Sequence, residues 1–383
     1  MKSRKSDWII IATFIIFIYG IAIGNLVCKD RTFSEMENRM LAQMPKVNGE
    51  NILSGQFMTD FESYVTDQFI FRDNFIRLKS AGERFVGKRI NNGVYYGKEG
   101  YLAEQLLFLN SEQLDKNLNA IKNYLDNTTA DVYFALIPGS VEINRNKMPL
   151  FISDVNQKEV INNIYSELAV FDVTCVDIYG TLLQNKSEEL YYRTDHHWTS
   201  LGAYYGYRAL CNTMNTDPVS ITEYDKELKS DDFYGTLYSK TGAFWLKPDF
   251  IETYVKEDGI TVERIDGNTM SVGELYHEEF LNKKDKYSMF LGGNQPLAVI
   301  RTNNSDMPKI LVIRDSYFDS MAPFLTAHYS EIHVVDFRYN RGNVEKYIED
   351  NDIEDVLIIY SLANFHEDKN IGYVLGNITK DEK

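Results

Sequence analysis

Apolar and polar positions follow three different rhythms along this chain. Near the start, Trp8 to Cys28 is a run of 21 residues without a charge. At about 1.5 Å per helical residue it spans roughly 30 Å, the hydrocarbon thickness of a bilayer. A helix buried in a soluble core would carry a polar stripe, and Ile9 to Ile18 shows none. Lys2, Arg4 and Lys5 precede the run and predict the N-terminus inside and the remaining chain outside. Ala22 and Gly24 also fit a cleavable signal peptide, so anchor and leader both stand; either exports the rest. A lipoprotein reading at Cys28 fails, because Val27 is too large to precede the modified cysteine.

The second rhythm has a helical period. In residues 29–93, Phe57, Phe61, Tyr64, Val65, Phe75, Ile76 and Leu78 recur at spacings of three and four, predicting a stalk and amphipathic helix packed on the main domain. A membrane-surface role ranks second, because the charges of this segment are mixed. Asn91-Asn92-Gly93 marks a turn.

The third rhythm alternates continuous apolar runs with helical patterns over residues 94–383. Strands are predicted at 132–137, 173–178, 309–314, 332–337 and 356–360. Helices are predicted at 158–170, 200–214 (with Thr199 or Ser200 as N-cap), 317–327 and 344–348. Fully apolar strands separated by helices indicate an α/β domain with a mostly parallel sheet covered on both faces. The rhythm breaks between about 217 and 308, which reads as an inserted cap.

Charge changes the picture of partners. Acidic residues outnumber basic ones 56 to 40, a formal net charge of −16, and this excludes a nucleic-acid binder, whose affinity comes from a basic surface. Three cysteines make no disulfide framework; Cys175 and Cys211 are either paired or buried free thiols. No zinc-type spacing occurs, and no cofactor or metal is expected.

Two segments carry candidate chemistry. Arg193-Thr194-Asp195-His196-His197-Trp198-Thr199 gathers two of six histidines, a carboxylate and a tryptophan before a helix. Ile313-Arg314-Asp315-Ser316-Tyr317 lies where a strand gives way to a helix, the position where open α/β sheets place ligands. Free N–H groups at a helix start also suit an oxyanion. Ser316, a histidine and Asp195 are the parts of an activated hydroxyl: serine needs a base, and the base needs a partner to fix its tautomer. On an extended segment adjacent side chains point oppositely, so Asp195 pairs with His197, leaving His196 structural or substrate-contacting. Alternatively, Ser316 or Asp315 only caps a helix, or the Asp-His-His cluster holds a metal.

The run Asp195-His196-His197-Trp198 resembles the signature of the DHHW protein family, which is related to the alginate O-acetylation proteins of the SGNH-hydrolase-like superfamily. Glu37-Asn38-Arg39-Met40-Leu41 with Pro45, Asp67-Gln68-Phe69 with Arg72-Asp73, and Phe290-Leu291-Gly292-Gly293-Asn294 extend the likeness over most of the exported chain. The resemblance implies an SGNH-like three-layer sandwich in circularly permuted motif order, with Asp195 orienting, His197 as base and Ser316 as nucleophile. It places Asn364 at the oxyanion hole. Arg314 stands where the superfamily usually has glycine, and would narrow the site, bind an anionic substrate group or form a surface ion pair. Trp198 and Tyr317 are expected to stack on sugar rings.

What the resemblance implies is an exported, single-pass membrane protein that moves acetyl groups onto a cell-surface polysaccharide, supplied by a membrane-bound O-acyltransferase. A carbohydrate acetylesterase using the same residues and a non-catalytic carbohydrate-binding scaffold are the alternatives.

Overall fold

The computed structural model describes residues 3–256 and 259–376. Lys2 and the side chains of Arg4 and Lys5 lie outside the described residues. The chain divides into two compact units: residues 1–88 with 239–245, and residues 89–238 with 246–383.

The first unit begins with helix α1 (Ser3–Val27), within which Ser6–Val27 forms 22 residues of mean hydropathy 2.4, long and apolar enough to cross a membrane. Helices α2 (Gln56–Asp67) and α3 (Arg72–Phe85) follow. The residues quoted for the segment after the apolar run converge here. Asp67 accepts from both Arg39 Nη atoms (2.5 and 2.9 Å) and from the Ala42 N–H (2.8 Å), while Arg72 pairs with Glu37. The Arg39 hydrogen bond outweighs partial burial and holds the Asp67 carboxyl down at about 2. Three apolar positions expected to face inward, Val65, Phe75 and Leu78, stand exposed.

In the second unit the eight strands of the main sheet are β1 (Asp131–Ile137), β2 (Thr174–Val176), β3 (Thr261–Asp266), β4 (Thr269–Gly273), β5 (Leu297–Arg301), β6 (Lys309–Arg314), β7 (Glu331–Val335) and β8 (Asp355–Ser361). Their order is β4-β3-β5-β7-β6-β8-β1-β2. The five strands from β7 to β2 are parallel, and β4, β3 and β5 extend the sheet antiparallel. Side chains alternate across it as the pleat requires. Ile310 and Val312 enter one core with Ala203 and Tyr207, whereas Leu311 and Ile313 enter the other with Ile121 and Ile164. Helices therefore cover both faces. Helix α6 (Ser200–Thr213) lies on the first side; α4 (Ser111–Leu125), α5 (Gln157–Leu168) and α7 (Val344–Asn351) lie on the second.

Two sequence expectations change. The interval 217–308 supplies β3, β4 and β5 to the main sheet, in addition to a separate hairpin of Asp225–Phe233 and Asp249–Val255. The half-polar β3 and β4 sit at the antiparallel edge, where continuous apolar sequence is not demanded, whereas β5 is apolar and enters both cores. The helix expected at 317–327 is a 3₁₀ turn, Ser316–Ser320, followed by a short helix, Ala322–Leu325. Pro323 offers no N–H to continue one helix through both. Cys175 and Cys211 are free thiols, half-buried and buried.

Candidate active site

Strand β6 ends at Arg314, fifth in the sheet order, and Asp315 and Ser316 follow at its carboxyl end. Asp315 is fixed to the end of β8. Its Oδ2 accepts from the Ser361 N–H (2.8 Å), the Ser361 hydroxyl (2.7 Å) and Asn364 Nδ2 (2.8 Å), and its Oδ1 accepts from the Tyr317 N–H (3.1 Å). Those bonds start the 3₁₀ turn that presents Ser316. The Ser316 backbone N–H heads that turn without a hydrogen-bond partner among the described residues.

The Asp195-His196-His197-Trp198 segment is a loop closed by the bridge between Tyr191 and Trp198, not an extended strand. The hairpin pins it through Asp249, which accepts from the N–H groups of Arg193 (3.0 Å) and Thr194 (2.8 Å) and from the Thr194 hydroxyl (2.6 Å). Asp195 then bends back on its own chain, its Oδ1 accepting the His197 N–H at 3.0 Å. The opposite-face argument for choosing between the histidines does not apply, since their rings lie 3.8 Å apart. Geometry separates them instead. His197 Nδ1 lies 2.6 Å from Asp195 Oδ1 and its Nε2 lies 2.8 Å from Ser316 Oγ. His196 Nδ1 meets Thr236 Oγ1 at 2.7 Å, and its ring is partly exposed.

Asp195 is almost wholly buried and fully bonded. Its Oδ2 accepts from the Thr236 N–H (2.7 Å) and hydroxyl (3.1 Å). Gly235 permits this approach, because a Cβ there would lie 2.3 Å from the Asp195 carboxylate. Burial acts to raise the Asp195 carboxyl; the two histidines and the His197 hydrogen bonds overcome it and hold the group well below the carboxylate range. An ionised Asp195 only accepts, so the His197 proton sits on Nδ1 and Nε2 offers its lone pair to the Ser316 hydroxyl.

Three residues expected at the substrate are interior. Trp198 is fully buried, its indole N–H shared between the Tyr317 carbonyl (2.8 Å) and Ser320 Oγ (3.0 Å). Tyr317 is buried and donates to the His196 carbonyl at 2.5 Å. These are cross-ties between the two segments and offer no face for a sugar. Arg314 forms an ion pair, but inside the protein, with Asp319 (3.1 Å) and Asp336 (3.5 Å), and it donates to Asn294 (3.3 Å). Burial pushes the Asp319 carboxyl up to about 7, against the pull of Arg314 and His197.

Sequence reasoning missed Asp249, and it missed a ring at the site. Tyr287 lies flat on the His197 ring, centroids 3.8 Å apart at 8°, and its hydroxyl donates to the Ser316 carbonyl (3.1 Å) and meets Ser320 Oγ (3.1 Å). Asp195, His196 and His197 also place their ligand atoms within 4.8 Å of one another. Both His197 nitrogens and both Asp195 oxygens are already engaged, so this set is built for hydrogen bonding.

The class defined by fold and site is an α/β protein with a mostly parallel sheet and a serine–histidine–aspartate hydrogen-bond chain at its carboxyl end. The chain belongs to the DHHW protein family, whose model matches residues 102–335. Among solved structures it is similar to a DHHW family protein from Eubacterium siraeum (25% identity, 75% of this chain and 96% of that chain covered, TM-score 0.64). It is also similar to Bacillus cereus PatB1, solved with a sulfonyl adduct (22% identity, 73% and 97% covered, TM-score 0.62). A more distant likeness is to the O-acetyltransferase domain of Pseudomonas putida AlgJ (13% identity, 76% and 96% covered, TM-score 0.47). A comparison with curated proteins yields no match.

Proposed function

We propose that this protein is a membrane-tethered O-acetyltransferase acting on a cell-surface or secreted polysaccharide, with Ser316 as nucleophile, His197 as base and Asp195 as its orienting partner. The observation that carries the reading is the unbroken hydrogen-bond chain from Asp195 through His197 to Ser316. In the first half-reaction Ser316 Oγ attacks the carbonyl carbon of an acetyl ester while its proton passes to His197 Nε2. The leaving alcohol takes that proton and an acetyl-serine remains. In the second, a sugar hydroxyl gives its proton to His197 and attacks the acetyl carbon, and Ser316 recovers its hydrogen. The oxyanion is met by the Ser316 backbone N–H; Asn364, which gives one amide hydrogen to Asp315, offers a second. His196, with its partly exposed ring, is the proposed substrate contact.

Acetyl and polysaccharide as chemical classes rest on the family's kinship with the alginate O-acetylation proteins. Helix α1 supplies the tether, and a membrane-bound O-acyltransferase is the proposed acetyl source. The test is incubation of the purified protein with p-nitrophenyl acetate and acceptor oligosaccharides, with a sulfonyl fluoride as active-site label. Acetylated sugar and a label on Ser316 are expected. Free acetate without acetylated sugar would turn the reading to hydrolysis. Unchanged donor turnover in Ser316→Ala and His197→Ala would leave a non-catalytic binding protein.

A further inference from the structure

Helix α3 leaves one face bare. Phe71, at its N-cap, and Phe75, Leu78 and Phe85 are 64%, 44%, 69% and 91% exposed. At 3.6 residues per turn these positions fall within about 80° of arc, a continuous apolar stripe about 21 Å long. Isolated exposed apolar residues are ordinary, whereas four on one line mark a contact surface. The opposite face is occupied: Ser80 is buried and its hydroxyl donates to the Thr241 carbonyl at 2.8 Å. Phe71 has a φ of 58°, a left-handed conformation unfavourable for a bulky residue, and still turns its ring outward.

The position of this stripe identifies what covers it. Its N-terminal end is fastened to the last turn of α1. The Ile70 N–H donates to Asn25 Oδ1 at 2.7 Å, and Ile70 Cδ1 fills the space where a Cβ on Gly24 would lie, 2.7 Å away. The chain leaving α1 is clamped to the same helices: the Arg31 N–H donates to Gln68 Oε1 (2.9 Å), Arg31 pairs with Asp73 (2.8 Å), and the Tyr64 hydroxyl meets Asp30 (3.0 Å). An apolar helix of this length places its final turn at the bilayer's edge, so Phe71 stands at that level. Charge agrees. Between positions 72 and 88 there are five basic residues and two acidic ones, in a chain of net charge −16. Arg77 and Lys79 are exposed on either side of the stripe.

We infer that α3 lies in the outer interfacial layer of the bilayer that α1 crosses, with lipid acyl chains against Phe71, Phe75, Leu78 and Phe85 and anionic headgroups against Arg77 and Lys79. The inference rests on α1 being a retained membrane span. It gives the protein two membrane attachments, one spanning and one monotopic, fixed to each other by the Asn25–Ile70 and Arg31–Asp73 contacts.

The test is site-directed spin labelling of the full chain in vesicles of phosphatidylcholine and phosphatidylglycerol, in a Cys28→Ser, Cys175→Ser background that leaves only the buried Cys211. Labels go at Phe71→Cys, Phe75→Cys, Leu78→Cys and Phe85→Cys, at Arg77→Cys and Glu83→Cys off the stripe, and at Ile15→Cys inside α1. Expected is a several-fold excess of collisions with oxygen over a water-soluble nickel chelate at the stripe positions, and the reverse at 77 and 83. A water-like ratio at the stripe with a lipid-like ratio at 15 would overturn the inference while leaving the anchor. A water-like ratio at 15 would overturn both. Loss of collisions with both probes at the stripe would mean a protein covers it, and the lipid assignment would fall.

Discussion

Replacing Asp195 with asparagine tests the proposed chemistry most sharply, because the carboxylate has no spare bonding capacity. Its Oδ1 takes two donors from His197 and its Oδ2 takes two from Thr236. An amide offers one acceptor and one donor in the same space. With its oxygen toward Thr236, the NH₂ faces His197 Nδ1 and drives the imidazole to the tautomer whose Nε2 carries a hydrogen, which cannot accept a proton from Ser316. With its oxygen toward His197, the tautomer survives but the negative charge that stabilises the imidazolium is gone. Either orientation also sets the NH₂ against a backbone N–H, that of His197 or of Thr236, costing about 1–3 kcal/mol of stability. A wrong tautomer lowers turnover by about 10⁴-fold, equivalent to about 5 kcal/mol of transition-state stabilisation. Acetyl-ester turnover of Asp195→Asn, followed from about pH 5 to 9, is expected to fall by that order with no recovery at high pH. Sulfonylation of Ser316 should slow in parallel. A folded Asp195→Asn protein within tenfold of the parent would refute the orienting role.

Three further outcomes follow from particular contacts. Tyr287→Phe keeps the ring on His197 and loses the hydroxyl bonds, so kcat should drop modestly, whereas Tyr287→Leu frees the imidazole and should cost about 10²-fold; equal effects in a kcat comparison would rule out stacking as the positioning contact. Gly206→Ala puts a Cβ 2.7 Å from Trp198 Cη2, and the overpacking should cost about 1–3 kcal/mol, read as a lower Tm; an unchanged Tm would show that Trp198 is not wedged. Asp319 binds its proton up to about pH 7 in the folded state and only to about 3.8 when unfolded, so its contribution to stability falls as pH rises across that window. Asp319→Asn should therefore narrow the Tm difference between about pH 5 and pH 8, and an undiminished difference would assign that slope to other groups.

The central strands were legible because parallel strands buried on both faces are apolar without interruption. Lys309–Arg314 matches its expected bounds, and the predicted 356–360 lies within Asp355–Ser361. Thr199 caps α6 with its hydroxyl, accepting the Gly202 N–H, because a short side chain in extended backbone is what that end requires. Asn92 and Gly93 both take positive φ, as the turn signal indicates. The antiparallel edge was not legible: Thr261–Asp266 mixes polar and apolar residues like a loop. At the site, residue types marked Asp195, His197 and Ser316, which the fold brings together, yet not which side chains face outward. Trp198 and Tyr317 looked like sugar platforms because sequence does not say whether an aromatic N–H or O–H already has an interior partner. Tyr287 is one of 26 tyrosines, and only the folded loop brings it onto His197. Asp249, in a region read as a cap, holds the histidine loop through backbone N–H groups that leave no trace in side-chain pattern.

His197 and Ser316 are 119 positions apart in the chain and meet only through separate supports, one on the hairpin and one on the β6–β8 strand ends. Neither support can form the site from local sequence alone. Until the sheet has paired and the hairpin has closed, Ser316 lacks the His197 contact and is an ordinary alcohol. On the proposed reading, the nascent chain is then chemically silent, and the moment at which Ser316 becomes trappable by an acylating reagent would be a clock for the completion of folding.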